Sequence, residues 1–96
     1  MSGVGRYLKE RNPDVQVVLA DPDGSILAPK VNDGLEVKPG SWLVEGIGED
    51  FVPDILDLSL VDTAITVDDG DAFHTARELL RTEGVLAGSS VGTLLE

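Results

Sequence analysis

The stretch AITVDDGDAFHTARELLRTEGVLA, residues 64–87, decides the fold. It opens on a short apolar run, Ala64 to Val67, which reads as a strand. Asp68 or Asp69 is then a good helix N-cap, and Asp71 adds a negative charge in the first turn. Ala72, Phe73, Ala76, Leu79 and Leu80 fall at i, i+1, i+4, i+7 and i+8 and form one apolar face. Arg77 and Arg81 lie toward the C-terminal end, and Gly84 suits the left-handed residue that closes a helix. Val85-Leu86-Ala87 then reads as another strand. Strand, helix, strand in this order predicts α/β architecture with parallel strands.

Residues 3–12 read as a short helix with Val4, Tyr7, Leu8 and Arg11 on one face, stopped by Asn12-Pro13. Val15 to Ala20 is apolar and rich in β-branched residues, which predicts a strand buried on both faces. Asp21-Pro22-Asp23-Gly24 is a turn signal. Ser25 to Ala28 starts a short helix before Pro29, and 29–41 reads as loop. Trp42 to Glu45 is a short strand candidate and Gly46-Ile47-Gly48 a flexible bend. Phe51 to Leu60 reads as helical, with Pro53 at its first position. After Ala87, a serine-glycine turn leads into a helix that runs to Glu96. The expected fold is α/β, a short parallel sheet flanked by helices, as one domain over 1–96.

The charge balance excludes several functions. Eighteen acids against seven bases give a net charge of −11. Nucleic acid needs a basic footprint, and so does an anionic membrane surface. The chain has no cysteine, which removes disulfides, thiolate metal sites and cysteine nucleophiles. Residues 1–14 carry charges and no apolar stretch, so no signal peptide is expected and a cytoplasmic location is the default. One histidine and scattered carboxylates without EF-hand spacing predict no metal site.

Gly88-Ser89-Ser90-Val91-Gly92 fits the G-x-S-x-G pattern of a hydrolase nucleophile elbow. That reading needs a histidine base after the serine, and the lone His74 lies upstream on the solvent side of its helix. A phosphate cradle is a second reading, but a P-loop needs lysine after its last glycine and this chain has Thr93. A third is purely structural: glycines give a tight strand-to-helix turn and the hydroxyls cap the helix.

Three segments together add a resemblance: Ser2-Gly-Val-Gly-Arg-Tyr-Leu-Lys9, Leu43-Val-Glu-Gly-Ile-Gly-Glu-Asp-Phe-Val-Pro53 and Glu83-Gly-Val-Leu-Ala-Gly-Ser-Ser-Val-Gly-Thr93. Their order and spacing resemble the cystathionine β-synthase and cysteine synthase family, pyridoxal-phosphate-dependent β-replacement enzymes of fold type II. The likeness extends through Asp21-Pro-Asp-Gly-Ser25 and the 68–83 helix. It implies a Rossmann-like piece of the cofactor domain, its C-terminal part, from an enzyme of transsulfuration and cysteine biosynthesis. It also implies that Ser90 meets the pyridine nitrogen of pyridoxal phosphate. A neutral hydroxyl there, unlike an aspartate, leaves the ring a weaker electron sink and favours elimination at Cβ over transamination. Gly46, Ile47 and Gly48 would line the cofactor, with Gly88 opening the serine turn.

The chain departs from the family at Val91, usually a small residue, where a β-branched side chain is expected to crowd the turn. None of Lys9, Lys30 and Lys38 lies in a sequence resembling the Schiff-base motif, and Met1 stands where the phosphate loop would end. The expectation is therefore one wall of a pocket, inactive alone and unable to hold pyridoxal phosphate well, with no catalytic residue of its own. A complementing chain would supply the rest. The alternative is a stand-alone association module that forms a homodimer.

Overall fold

The structure, a computed structural model, describes residues 1–96. Its elements in chain order are α1 (Ser2–Arg11), β1 (Val18–Pro22), α2 (Leu27–Asp33), a 3-10 turn (Leu58–Leu60), β2 (Thr63–Val67), α3 (Asp69–Glu83) and α4 (Ser89–Leu95). β1 and β2 pair in parallel, from Val18 opposite Thr63 to Pro22 opposite Val67. The short parallel sheet flanked by helices is as expected.

α3 forms as its sequence dictates. The Asp68 carboxylate accepts from the Gly70 N–H at 2.7 Å and caps the first turn. Gly84 closes the helix with φ 68°, the left-handed conformation that costs glycine least. Ala72 is fully buried, and His74 is exposed on the far side. Leu80, expected on the buried face, is 43% exposed because the face turns past its neighbours at the C-terminal end.

β1 lies further along than expected. It takes in Asp21-Pro22, so the turn is confined to Asp23-Gly24. Pro22 is tolerated because a strand with one open edge needs fewer ladder donors. Val18 is 45% exposed, so the strand is not buried on both faces as expected; its buried residues are Asp21 and Pro22. Asp21 Oδ2 accepts from the Ala28 N–H at 2.8 Å, which anchors the start of α2. That helix runs through Pro29, where a loop was expected. Pro29 stands at its third position, where the missing N–H breaks no intrahelical bond. From the same helix, Asn32 donates to Ala64 O and accepts from Ala64 N–H, both at 2.9 Å, and so occupies part of the open edge of β2.

Burial pushes the Asp21 carboxyl above its ordinary range, outweighing the lowering effects of Ser25 and the Ala28 N–H. The folded chain thus binds this proton more readily than the unfolded chain. The contribution falls as pH rises through the folded value and recovers toward acid. Asp21→Asn keeps an acceptor for Ala28 and removes the buried charge. Its urea midpoint, relative to the parent chain, is expected to be higher at neutral pH and to converge with it toward pH ~4. A constant difference across that range contradicts the burial described.

Three expected elements are absent. Trp42 to Glu45 pairs with no strand, and the amides of Leu43, Val44 and Glu45 go to the side chains of Asp69 and Ser89. Phe51 to Leu60 forms no α-helix. Asp57 instead accepts from Ser59 N–H at 3.1 Å and supports a single 3-10 turn. Val85 to Ala87 is not a strand, since no neighbouring strand reaches it, and Leu86 is 84% exposed.

The core is small. Only 12 of the 96 residues are buried, and Val44, Val67 and Ala72 form its centre, flanked by Trp42, Ile47 and Phe73. α1 packs by the 3-10 turn, with Gly5 near Leu60 and Val17, and is fastened by polar side chains to the segments that lead into the two strands. Lys9 Nζ bridges Asp62 at 2.7 Å and Val15 O at 3.3 Å, and Arg6 meets Asp57 at 3.3 Å. Gly5, rather than the expected apolar stripe, is its buried residue; Val4 and Tyr7 are exposed, with Arg11 stacked 3.8 Å over the Tyr7 ring. No helix is long and apolar enough to cross a membrane.

Candidate functional site

Gly46 and Gly48 have φ of 83° and 80°, a backbone course open chiefly to glycine. The two differ in surroundings. A Cβ on Gly46 would meet nothing within 4 Å, whereas one on Gly48 would lie 2.5 Å from Pro22 Cγ and 2.9 Å from Trp42 Cε2. Gly48 is thus glycine for packing, and Gly46 faces open space.

Both glycines line a cavity of about 660 Å³. It is lined by Gly46, Ile47, Gly48 and Glu49, by Leu19 and Ala20 of β1 and Leu27 of α2, by Met1, Ser2 and Gly3 at the start of α1, and by Pro53, Ile55 and Leu56. The first turn of α1 has no side-chain cap and no acidic residue. Its amides are therefore free to receive an anion at the cavity mouth. No lysine lines the cavity. Lys9 pairs with Asp62 and Lys30 with Glu36.

The segment beside the cavity is held by side chains. Asp69 accepts from Leu43 N–H at 2.7 Å and from Val44 N–H at 3.2 Å. Trp42 Nε1–H donates to Ile47 O at 3.1 Å. Ser25 Oγ accepts from Glu49 N–H at 3.0 Å. Ser89 Oγ accepts from Glu45 N–H at 3.4 Å.

The structure brings part of the expected site together. Gly46, Ile47 and Gly48 share the cavity wall. Gly88 is the exposed N-cap of α4, and Ser90 lies half-buried in that helix's first turn. Neither lines the cavity; they reach the glycine segment through the Ser89–Glu45 link. Val91 fits within α4, its N–H donating to Gly88 O at 3.1 Å, so the expected crowding is absent. Gly92 has a packing role: a Cβ there would overlap Ala72 O and lie 3.1 Å from Ala76 N, which marks a very close crossing of α3 and α4.

Two features escape sequence reading. The uncapped start of α1 joins the glycine segment only in space. Asp69 looks redundant beside Asp68, and only its position on α3 gives it Leu43 and Val44 as partners. The signal available was the doubled aspartate itself, since one helix needs one cap.

The family model for "Pyridoxal-phosphate dependent enzyme" matches residues 1–96. The chain belongs to that family. The cystathionine β-synthase of Saccharomyces cerevisiae is 47% identical over 93 residues, which cover 97% of this chain and 18% of the relative. That of Apis mellifera is 44% identical over 95 residues, covering 99% and 18%. A crystal structure of O-ureido-L-serine synthase superposes with a TM-score of 0.82 at 32% identity, over 97% of this chain and 28% of that one. The chain therefore spans under a fifth of these cystathionine β-synthases, and its α/β fold is that of a segment of a fold type II synthase.

Proposed function

We propose that the chain forms one wall of the cofactor site in an enzyme that joins serine, or an activated serine, to a thiol such as homocysteine. The parent activity is of the cystathionine β-synthase or cysteine synthase type. The observation that supports this reading most is the cavity between the positive-φ glycines and the uncapped start of α1. Bound there, pyridoxal phosphate supplies an electron sink for bond breaking at the substrate's Cα and Cβ. The amides of Ser2, Gly3 and Val4 would receive its phosphate, and the backbone of Gly46 to Gly48 would lie against its ring. The family resemblance would give the ring nitrogen the neutral hydroxyl of Ser90, which keeps that nitrogen from holding a proton tightly; Ser90 lies outside the lining of this cavity and is tied to it only through Ser89 and Glu45.

The residues present fit a wall and no more. With no lysine at the cavity to form the covalent link, the chain alone holds pyridoxal phosphate weakly, since each hydrogen bond it offers is worth only about 0.5–1.5 kcal/mol net. The test is a chimera in which this chain replaces the matching segment of the Saccharomyces enzyme. It is expected to retain bound pyridoxal phosphate and β-replacement. In it, Ser90→Asp is expected to slow β-replacement about tenfold or more and to raise transamination. A chimera indifferent to that change refutes the role given to Ser90. A lysine-dependent yellow absorbance from the chain alone, mixed with pyridoxal phosphate, refutes its expected weakness.

A second reading, an association module that pairs two copies, is favoured by the apolar side chains left open. Ile55 is 88% exposed, Leu86 84% and Leu43 73%. Sedimentation separates the two, because a compact monomer at high concentration removes the module.

A further inference from the structure

Residues 42–49 belong to no helix or strand, yet they carry the glycines of the cavity wall. Their backbone course is imposed from outside. The strongest tie is Asp69, whose two carboxylate oxygens receive the consecutive amides of Leu43 and Val44 at 2.7 and 3.2 Å. A charged acceptor shared by two adjacent N–H groups fixes both position and direction of a chain. Ser89 adds a longer contact to Glu45. Asp69 opens α3 and Ser89 opens α4, and those helices are locked where Gly92 meets Ala72 and Ala76. Ser90 is carried by the same pair of helices.

We infer that Asp69 is a positioning residue that ties the Gly46-Ile47-Gly48 wall to the α3–α4 unit, so that wall and Ser90 keep one mutual placement. The functional meaning of that placement rests on the cofactor reading above, but the tie itself does not. Asp68 provides the control. It sits one residue earlier, caps the same helix through Gly70 and makes no hydrogen bond to the 42–49 segment. Asp68 acts on helix stability, and Asp69 acts on the loop.

The chain carries its own reporter. Trp42 is its only tryptophan, half-buried, with its indole N–H on Ile47 O and its ring against Gly48. The experiment compares Asp69→Ala, Asp69→Asn and Asp68→Ala in the full chain without any cofactor. Acrylamide quenching of Trp42, amide exchange by NMR and thermal melting are measured on each. Asp69→Ala is expected to raise the quenching constant about twofold and to speed exchange at Leu43 and Val44 roughly tenfold or more. Asp69→Asn, left with one acceptor oxygen, is expected to fall between. Asp68→Ala is expected to lower the melting temperature and leave Trp42 and those two amides unchanged.

Equal quenching and exchange in Asp69→Ala and the parent would overturn the tie. So would an Asp68→Ala chain that loosens Trp42 as much as Asp69→Ala does, for the effect would then be helix fraying. Should Asp69→Ala fail to fold, Asp69→Asn against Asp68→Ala decides by the same two signals. Because no cofactor enters, failure of the chimera leaves this result standing, and failure here leaves the chimera informative.

Discussion

Gly92→Ala is expected to abolish cooperative unfolding at room temperature. The reason is geometric. The added Cβ would overlap the carbonyl oxygen of Ala72 and lie 2.8 Å from its carbonyl carbon and 3.1 Å from Ala76 N. These are backbone atoms of a well-formed helix and cannot swing aside as a flexible side chain would. Overpacking of side chains alone costs about 1–3 kcal/mol, and an obstruction by backbone falls at or above that range. A domain of this length holds only ~5–15 kcal/mol in total, and 12 buried residues place it toward the lower end. Relief requires α3 and α4 to separate, which opens the contact around fully buried Ala72. Circular dichroism and Trp42 emission on heating check this. A Gly92→Ala chain melting within about 2 °C of the parent would mean that the helices do not cross as described.

The second large effect is at Gly48, and its neighbour makes it specific. Gly48→Ala combines a left-handed residue, costing about 1–2 kcal/mol, with contacts of 2.5 Å to Pro22 Cγ and 2.9 Å to Trp42 Cε2. Pro22 is fully buried at the end of β1 and has no room to yield. The loop must therefore leave the strand, and the Trp42 emission maximum is expected to move to the red as the ring meets water. Gly46→Ala has nearly the same φ but nothing within 4 Å. It is expected to cost about 1–2 kcal/mol and leave Trp42 unmoved. In the chimera it is Gly46→Ala, whose added Cβ meets no protein atom at a position lining the cavity, that should weaken pyridoxal phosphate. Equal stability losses at the two glycines would contradict the packing given to Gly48.

These two glycines show what a sequence can and cannot disclose. α3 was legible because its determinants are local: a cap at Asp68, an apolar stripe with period 3.6, a stop at Gly84. The apolar runs Val15 to Ala20 and Ala64 to Val67 were legible as strands, whereas their pairing with each other is visible only in the structure. What escaped was decided by partners distant in sequence. Asp21-Pro22 reads as a turn until pairing with Thr66 and Val67 makes it the end of a strand. Trp42 to Glu45 has strand composition, but Asp69 and Ser89 take the amides a neighbouring strand would need. Val85 to Ala87 has the composition too and lacks the neighbour. At the site, the motif containing Ser90 pointed to the right family, while the reason for its last glycine, a helix crossing, was visible only in space.

The fastening of α1 has its own consequence. Part of the cavity lining is the start of a helix pinned by Lys9–Asp62 and Arg6–Asp57, pairs that lie at or near solvent. Mobile ions shorten the reach of such attractions from about 10 Å at 0.1 M to about 3 Å at 1 M. The glycine wall is fastened by hydrogen bonds and packed rings, and brine scarcely affects those. Brine thus loosens one border of the hollow more than the other, though α1 keeps the bond from the Asp57 N–H to Ser2 Oγ and the packing of Gly5 against Val17 and Leu60.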